Sequence, residues 1–315
     1  MRVRVLLEPR HGGSYDQFLA FARAAEEAGF DAFFRSDHLL GVDPADTTYA
    51  TTDAWTTLAG LARDTARIRL GTLVTPGTFR WPGFLAVSAA NTDVMSGGRV
   101  ELGLGAGWYE REHRAFGVPF PPMKERFDRL EEQMAIIKGL WTIPPGEGFS
   151  FSGRHYRLED CVNAPRTAQS PHPPIVVGGA GPRRTPALAA RFADEYNATF
   201  GTGARERFAV FHRACEEIGR DPATARLSVA LPVACGADQA EVDRRQAVMG
   251  SPRMLAEAAC GAPETVLDRL SSLAADGVDT VYFHIYDIDD LDHIRLLGEE
   301  VVPKASRLSP APISS

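Results

Sequence analysis

Lysine and cysteine are scarce in this chain and long apolar runs are missing, and each of these closes a route. The only lysines among 315 residues are Lys124, Lys138 and Lys304. Barrel enzymes that work through a Schiff base need a lysine at a strand end. Here Lys124 and Lys138 fall in one amphipathic helical pattern and Lys304 lies near the C-terminus. The cysteines, Cys161, Cys215, Cys235 and Cys260, show no C-x-x-C spacing, and neither H-x-H nor H-E-x-x-H occurs, which argues against a metal site of the zinc kind. A disulfide framework is not expected in a chain whose 44% hydrophobic content suffices for a full core. The N-terminal apolar run is only Val5-Leu6-Leu7, too short for a signal-peptide core, and no stretch reaches the ~20 apolar residues of a membrane span. A cytoplasmic protein is expected. The formal charge of −7 argues against nucleic acid or an anionic membrane as partner and leaves a small molecule as the expected ligand.

What the chain does have is alternation. Strand signals occur at 3–7, 32–35, 68–71, 100–104, 175–177, 196–200, 227–233 and 280–283. Helical patterns stand between them, at 14–29, 53–64, 83–95, 123–141, 185–193, 205–219, 237–260, 262–275 and, after the last strand, 291–302. Regular β-α alternation favours a parallel sheet, closed or doubly wound, and eight units favour closure. The expected fold is a single α/β domain over residues 1–315, a (β/α)8 TIM barrel. A Pro/Gly-rich insertion at 142–174 interrupts it, with a small hairpin around 149–156. In such a barrel the functional residues follow the strands, on the C-terminal rim.

Several strand ends carry unusual residues. Glu8 follows the first strand, where a salt-bridged rim residue and an acid–base group are equally good readings. Ser36-Asp37-His38 follows the second; read alone, it is a loop aspartate capping amides beside a packed histidine. Gly71 to Pro76 reads as a glycine turn. Gly103-x-Gly105-Ala106-Gly107 is not a dinucleotide fingerprint, because Trp108 occupies the place of the last glycine. It is either a plain turn or a strand end where backbone closely approaches a flat ring. Gly178-Gly179-Ala180-Gly181-Pro182 precedes a helix expected to start at Thr185-Pro186, and amides freed at a helix N-terminus bind phosphate. Trp55, Trp81, Trp108 and Tyr109 are candidates for an apolar cleft, and Arg111, Glu112 and His113 for facing a ligand.

In order and flanks these segments resemble the luciferase-like superfamily, most closely its F420-dependent branch. The segments are AEEAGFDAFFRSDH, RIRLGTLVTPGTFR, SGGRVELGLGAGWYEREH, FSGRHYRL, PIVVGGAGPRRTP, ADEYNATF and GVDTVYFHIYDIDD. The resemblance implies that Asp37 contacts a deazaflavin and that His38 lies beside the substrate, with Glu8 a second candidate for acid–base chemistry. It implies a non-prolyl cis peptide at Leu73–Val74, bulging under the middle ring of the cofactor. It adds Gly105, Ala106 and Gly107 to the cofactor site and gives Gly178 to Pro182 its phosphate. The expected activity is hydride transfer between coenzyme F420 and a small organic substrate. An FMN-dependent monooxygenase using oxygen is the alternative, and a non-catalytic flavin-binding protein the rival from another class. A homodimer is expected, since such relatives usually pair through barrel helices.

Overall fold

The computed structural model describes residues 1–41, 46–162 and 165–313. Eight parallel strands form a closed ring: β1 (Arg2–Leu7), β2 (Ala32–Arg35), β3 (Arg69–Thr72), β4 (Val100–Gly105), β5 (Ile175–Gly178), β6 (Glu195–Phe200), β7 (Arg226–Cys235) and β8 (Thr280–Ile285). Each pairs with its neighbour in sequence, and β1 pairs with β8 from Arg2 opposite Thr280 to Leu7 opposite Ile285. All eight are the segments expected from sequence, and their ends move by no more than two residues.

The helices follow their caps. Ser14 and Gln17 form a reciprocal capping box ahead of Tyr15–Glu27, and Asp53 accepts the Thr56 amide ahead of Ala54–Asp64. One helical pattern divides. Residues 237–260 hold Gln239–Met249, Pro252–Glu257 and a short strand, Ala259–Gly261, paired with β7. Gly250 at φ 64° ends the first helix and Pro252 starts the second, a stop and start that apolar periodicity alone does not register. The insertion is an antiparallel hairpin of Phe149–Ser152 and Arg157–Cys161. Glu132, on the helix Met123–Thr142, fastens its turn by accepting the amides of Arg154, His155 and Tyr156 at 2.7–3.0 Å. Among the described residues no helix is long and apolar enough to cross a membrane.

Strand side chains alternate between two environments. Val3, Val5 and Leu7 of β1 join Phe18, Phe21 and Phe33 in the shell between strands and helices. Leu6 points into the barrel with Ala32, Phe34, Val176, Ala230 and Tyr282. Nearer the N-terminal ends the interior is charged. Arg4, fully buried, donates to Glu101 at 2.8 and 3.1 Å, Glu195 at 3.2 Å, the Tyr282 hydroxyl at 2.8 Å and Asp31 at 2.8 Å. Arg69 pairs with Glu101 and Arg226 with Glu195, so three guanidiniums meet three carboxylates. Burial on its own raises the Glu101 carboxyl, but Arg4, Arg69 and Arg226 outweigh it and hold it at about 2.

Removing one member of a buried ion cluster strands the others, at a cost of about 3–5 kcal/mol. Glu101→Gln is expected to lower unfolding stability on that scale, measured by urea denaturation at pH 7. Because the folded value of Glu101 lies below the ~4.3 of an unfolded glutamate, its contribution is present above that pH. It is lost as pH falls toward about 2. The gap between parent and variant therefore narrows at low pH, and a gap that stays constant from pH 7 to pH 3 contradicts this account.

Candidate active site

The alternation that sends Arg4 and Leu6 inward along β1 brings Glu8 to the C-terminal mouth. Tyr282 in turn leads on β8 to His284 and then Tyr286. Glu8 Oε2 lies 2.7 Å from His284 Nε2, and Glu8 Oε1 lies 3.7 Å from His38 Nε2. His38 stands just past β2. Its Nδ1 is 3.1 and 3.2 Å from the two oxygens of Glu112, which is fully buried on the short helix Glu110–Ala115. The same carboxylate accepts the amides of Leu39 at 2.5 Å and Leu40 at 3.3 Å, so it fixes the loop as well as the ring. A carboxylate only accepts, so Nδ1 carries the proton in this contact and Nε2 is turned toward Glu8.

These neighbours separate two candidate proton carriers. For His38, burial disfavours the charged ring, but the Glu112 hydrogen bond and the Glu8 charge outweigh it and raise its titration above the ordinary histidine value. For Glu8, burial pushes upward, but the hydrogen bond of His284 and the charge of His38 hold it well below the ordinary carboxylate value. At neutral pH Glu8 is thus a carboxylate with no proton to give, whereas His38 is able to hold one at Nε2.

Asp37, 1% exposed, faces the adjoining part of the rim. Its Oδ2 accepts from Thr75 at 2.8 Å. Its Oδ1 lies 3.6 Å from Arg80 and has no hydrogen-bond partner among the described residues. Burial raises its titration despite Arg80 and Thr75. A buried carboxylate oxygen without a donor is costly unless something supplies one.

Beside it the Leu73–Val74 peptide is cis, and Val74 leans across the barrel mouth. The glycines of β4 and β5 make room for it. A Cβ on Gly105 would sit 2.7 Å from Val74 Cγ2, one on Gly178 2.8 Å from Val74 Cγ1, and one on Gly103 1.8 Å from the Thr72 carbonyl. The sequence leaves this stretch as a plain turn or as a strand end close to a flat ring; within the protein, Gly103 and Gly105 stand against Val74 and the Thr72 carbonyl. Gly107 turns at φ 76°, with Ala106 half-buried before it.

The Gly178–Pro182 loop leads into the helix Arg184–Phe192. Thr185-Pro186 is not its cap. Arg183 holds that place without a side-chain cap bond, and Thr185 is buried, filling the space a side chain at Gly181 would need. Arg184 is engaged by Asp128 at 2.6 Å, whereas Ala180, Pro182 and Arg183 are exposed. Amide N–H groups of the first turn have no intrahelical acceptor.

The aromatic candidates divide. Trp55 is buried and donates to Thr75 at 3.1 Å. Trp81 is exposed, away from His38, with its ring edge on Tyr156. Trp108 is 60% exposed, 5.6 Å from the His38 ring and stacked on Tyr109. His113 is fully buried, bonded to Thr78 and to the Tyr109 carbonyl, and is not at the mouth. Sequence reasoning missed His284 and Tyr286. Their signal was present: His and Tyr at alternate positions after an apolar strand, in step with Tyr282. Among the described residues no group of His, Cys, Asp and Glu is arranged to hold a metal ion.

With this geometry in hand, comparison with known proteins gives a consistent picture. The family profile described as luciferase-like monooxygenase matches residues 1–253. An F420-dependent glucose-6-phosphate dehydrogenase of Microbacterium testaceum is 39% identical over 193 residues, 59% of this chain and 53% of that protein. An F420-dependent hydroxymycolic acid dehydrogenase of Mycobacterium tuberculosis is 34% identical over 227 residues, 71% of this chain and 61% of that protein. The match therefore spans between half and two thirds of the length of these curated relatives. Among solved structures, a monooxygenase of Streptomyces bottropensis superposes with a TM-score of 0.80 at 25% identity, covering 96% of this chain and 99% of its own.

Glu112→Gln keeps an acceptor for the Leu39 amide and removes the charge beside His38. The expected result is a fall in the His38 titration of about one pH unit, read by NMR of the histidine ring. An unchanged titration means that Glu112 holds the loop and not the charge.

Proposed function

The chain belongs to the luciferase-like monooxygenase family, and on that premise we propose that it is a coenzyme F420-dependent oxidoreductase acting on a small organic substrate. The observation that carries this is His38, held by Glu112 on one nitrogen and facing Glu8 with the other at the open end of the barrel. The competing reading, an FMN-dependent monooxygenase, has in its favour the structural likeness to the Streptomyces monooxygenase. The F420 reading has in its favour the two dehydrogenase relatives and a rim suited to moving a single proton.

The residues present fit such a cofactor. Asp37 Oδ1, buried and lacking a donor, suits a ring N–H, and Val74 offers an apolar shelf beside it. The turn of Gly105, Ala106 and Gly107 borders that shelf. In the loop of Gly178, Gly179, Ala180, Gly181 and Pro182, the N–H groups of Ala180 and Gly181, with the helix behind them, suit a phosphodiester, and Arg183 adds charge. When bound, F420 supplies a carbon that accepts or gives hydride. The chain supplies the proton. In alcohol oxidation the hydroxyl proton passes to His38 Nε2 as hydride leaves the adjacent carbon. In reduction of a carbonyl, C=C or C=N, His38 returns it to the oxygen, carbon or nitrogen. Glu112 and Glu8 stabilise the imidazolium that forms. A cytoplasmic setting is part of this reading, and four free cysteines suit a reducing compartment.

Titration with F420 and with FMN, followed by single turnover, tests it. F420 is expected to bind more tightly. His38→Ala is expected to slow the chemical step by about 10²–10⁴-fold while the F420 dissociation constant changes little. Tighter FMN binding with oxygen uptake on turnover supports the monooxygenase instead. Collapse of binding with the rate intact makes His38 a ligand.

The proposal includes a homodimer. The outward face of the helix Pro82–Ser96 carries Phe84 (75% exposed), Val87, Asn91, Val94 and Met95, none of them charged. A two-fold contact sets like residues together, so an uncharged stripe suits a second copy. Sedimentation at micromolar concentration is expected to give twice the 34.2 kDa chain mass, and Phe84→Glu to give the monomer. A parent chain that sediments as a monomer refutes the pairing.

A further inference from the structure

Tyr286 has no part in the proton transfer described above, yet it completes a chain of contacts at the mouth. Its hydroxyl lies 3.0 Å from His284 Nδ1, and the two rings lie 4.3 Å apart at 32°. On its other side His284 Nε2 meets Glu8 Oε2 at 2.7 Å. His284 is 5% exposed. Its register neighbours on the flanking strands, Leu6 of β1 and Pro232 of β7, do not titrate. The titratable groups facing this cluster are Glu8, His38, Tyr286 and Tyr49, with Asp37 and Glu112 behind His38.

We infer that Tyr286 is a positioning residue: it fixes which nitrogen of His284 carries the proton, and through that keeps Glu8 an acceptor at the substrate's edge. The argument is one of donors and acceptors. An ionised carboxylate has no proton to give, so the short contact to Glu8 uses the Nε2–H of His284. A neutral imidazole then presents a lone pair at Nδ1, which needs a donor in a buried place. The Tyr286 hydroxyl supplies it. Burial, reinforced by the Glu8 charge, raises the phenol well above its ordinary value, so it remains a donor throughout the working range of pH. Without it the Glu8 contact alone holds the Nε2–H tautomer, against the cost of a buried Nδ1 with no donor. With Nδ1 protonated instead, the bare Nε2 faces Glu8, and Glu8 gains by taking up a proton. An uncharged Glu8 no longer supports the charged form of His38.

This inference rests on the reading of Glu8 and His38 as the groups facing substrate, but its first test needs neither cofactor nor turnover. Nitrogen-15 NMR of the ring-labelled full chain is read for His284, assigned through His284→Gln. In the parent at pH 7, Nε2 is expected to be protonated and Nδ1 bare. Tyr286→Phe keeps the ring stacking and removes only the hydroxyl, and a mixture of tautomers is expected. The second test is the pH profile of single turnover. The limb set by His38 is expected to move downward by about one pH unit in Tyr286→Phe, with the substrate KM little changed. A single unchanged tautomer in Tyr286→Phe overturns the inference, as does a doubly protonated ring in the parent at pH 7. A uniform loss of rate with the limb unmoved also overturns it and makes Tyr286 a packing residue. If the tautomer shifts as expected but the parent shows no turnover with F420, the functional reading fails and the role of Tyr286 stands.

Discussion

A guanidinium with no access to water governs this fold. Arg4 lies inside the ring and is satisfied only when β1, β4, β6 and β8, together with Asp31 ahead of β2, all stand in register around it. A slip of one residue along β1 turns Arg4 out among the helices and Val5 in among carboxylates. That phase also sets the opposite end of the barrel. Counting in twos from Arg4 leads through Leu6 to Glu8, and from Tyr282 to His284 and Tyr286. The charged floor and the proton-carrying mouth are two readings of one register, with the apolar layer of Leu6, Phe34 and Val176 between them. That layer keeps the carboxylates of the floor from competing for the protons of the rim.

The rim itself divides by chemistry. β1, β2 and β8 contribute Glu8, Asp37, His38, His284 and Tyr286, whereas the segments after β3 and β4 contribute Val74, Thr75 and Glu112, and β4 and β5 contribute glycines. Both sectors depend on tight neighbours. His38 sits between two carboxylates that differ in role: Glu112 grips one nitrogen and the following loop, and Glu8, hydrogen-bonded to His284, stands 3.7 Å from the other nitrogen. On the other side Val74 occupies the space that three glycines leave, so the shape of the shelf is shared by three strands.

Much of this was legible before any coordinates. Alternation and strand-end residues place the barrel, and Glu8, Asp37 and His38 fall together on its rim. The parts that escaped share a cause: they are relations between distant segments. His284 lies 276 residues from its partner Glu8, and nothing local marks the bond. Glu112 reads as a candidate for facing a ligand, and only the fold shows that it faces His38 instead. Gly105 reads equally well as room for a ligand or for Val74, and only the neighbouring loop decides. The helix at 237–260 broke where Gly250 and Ser251-Pro252 outweighed an apolar pattern that runs through them.

The ring closes between its first strand and its last, and Glu8 meets His284 across that seam. During synthesis the N-terminal strands emerge early, bringing His38, Glu112, Val74 and the Gly178 loop, while β8 emerges last. A nascent chain therefore holds the Asp37, Val74 and Gly178 segments before it holds the pair that meets at Glu8. An unfinished barrel lacks the contact between Glu8 and His284, and the order of the rim arrives only with the final strand.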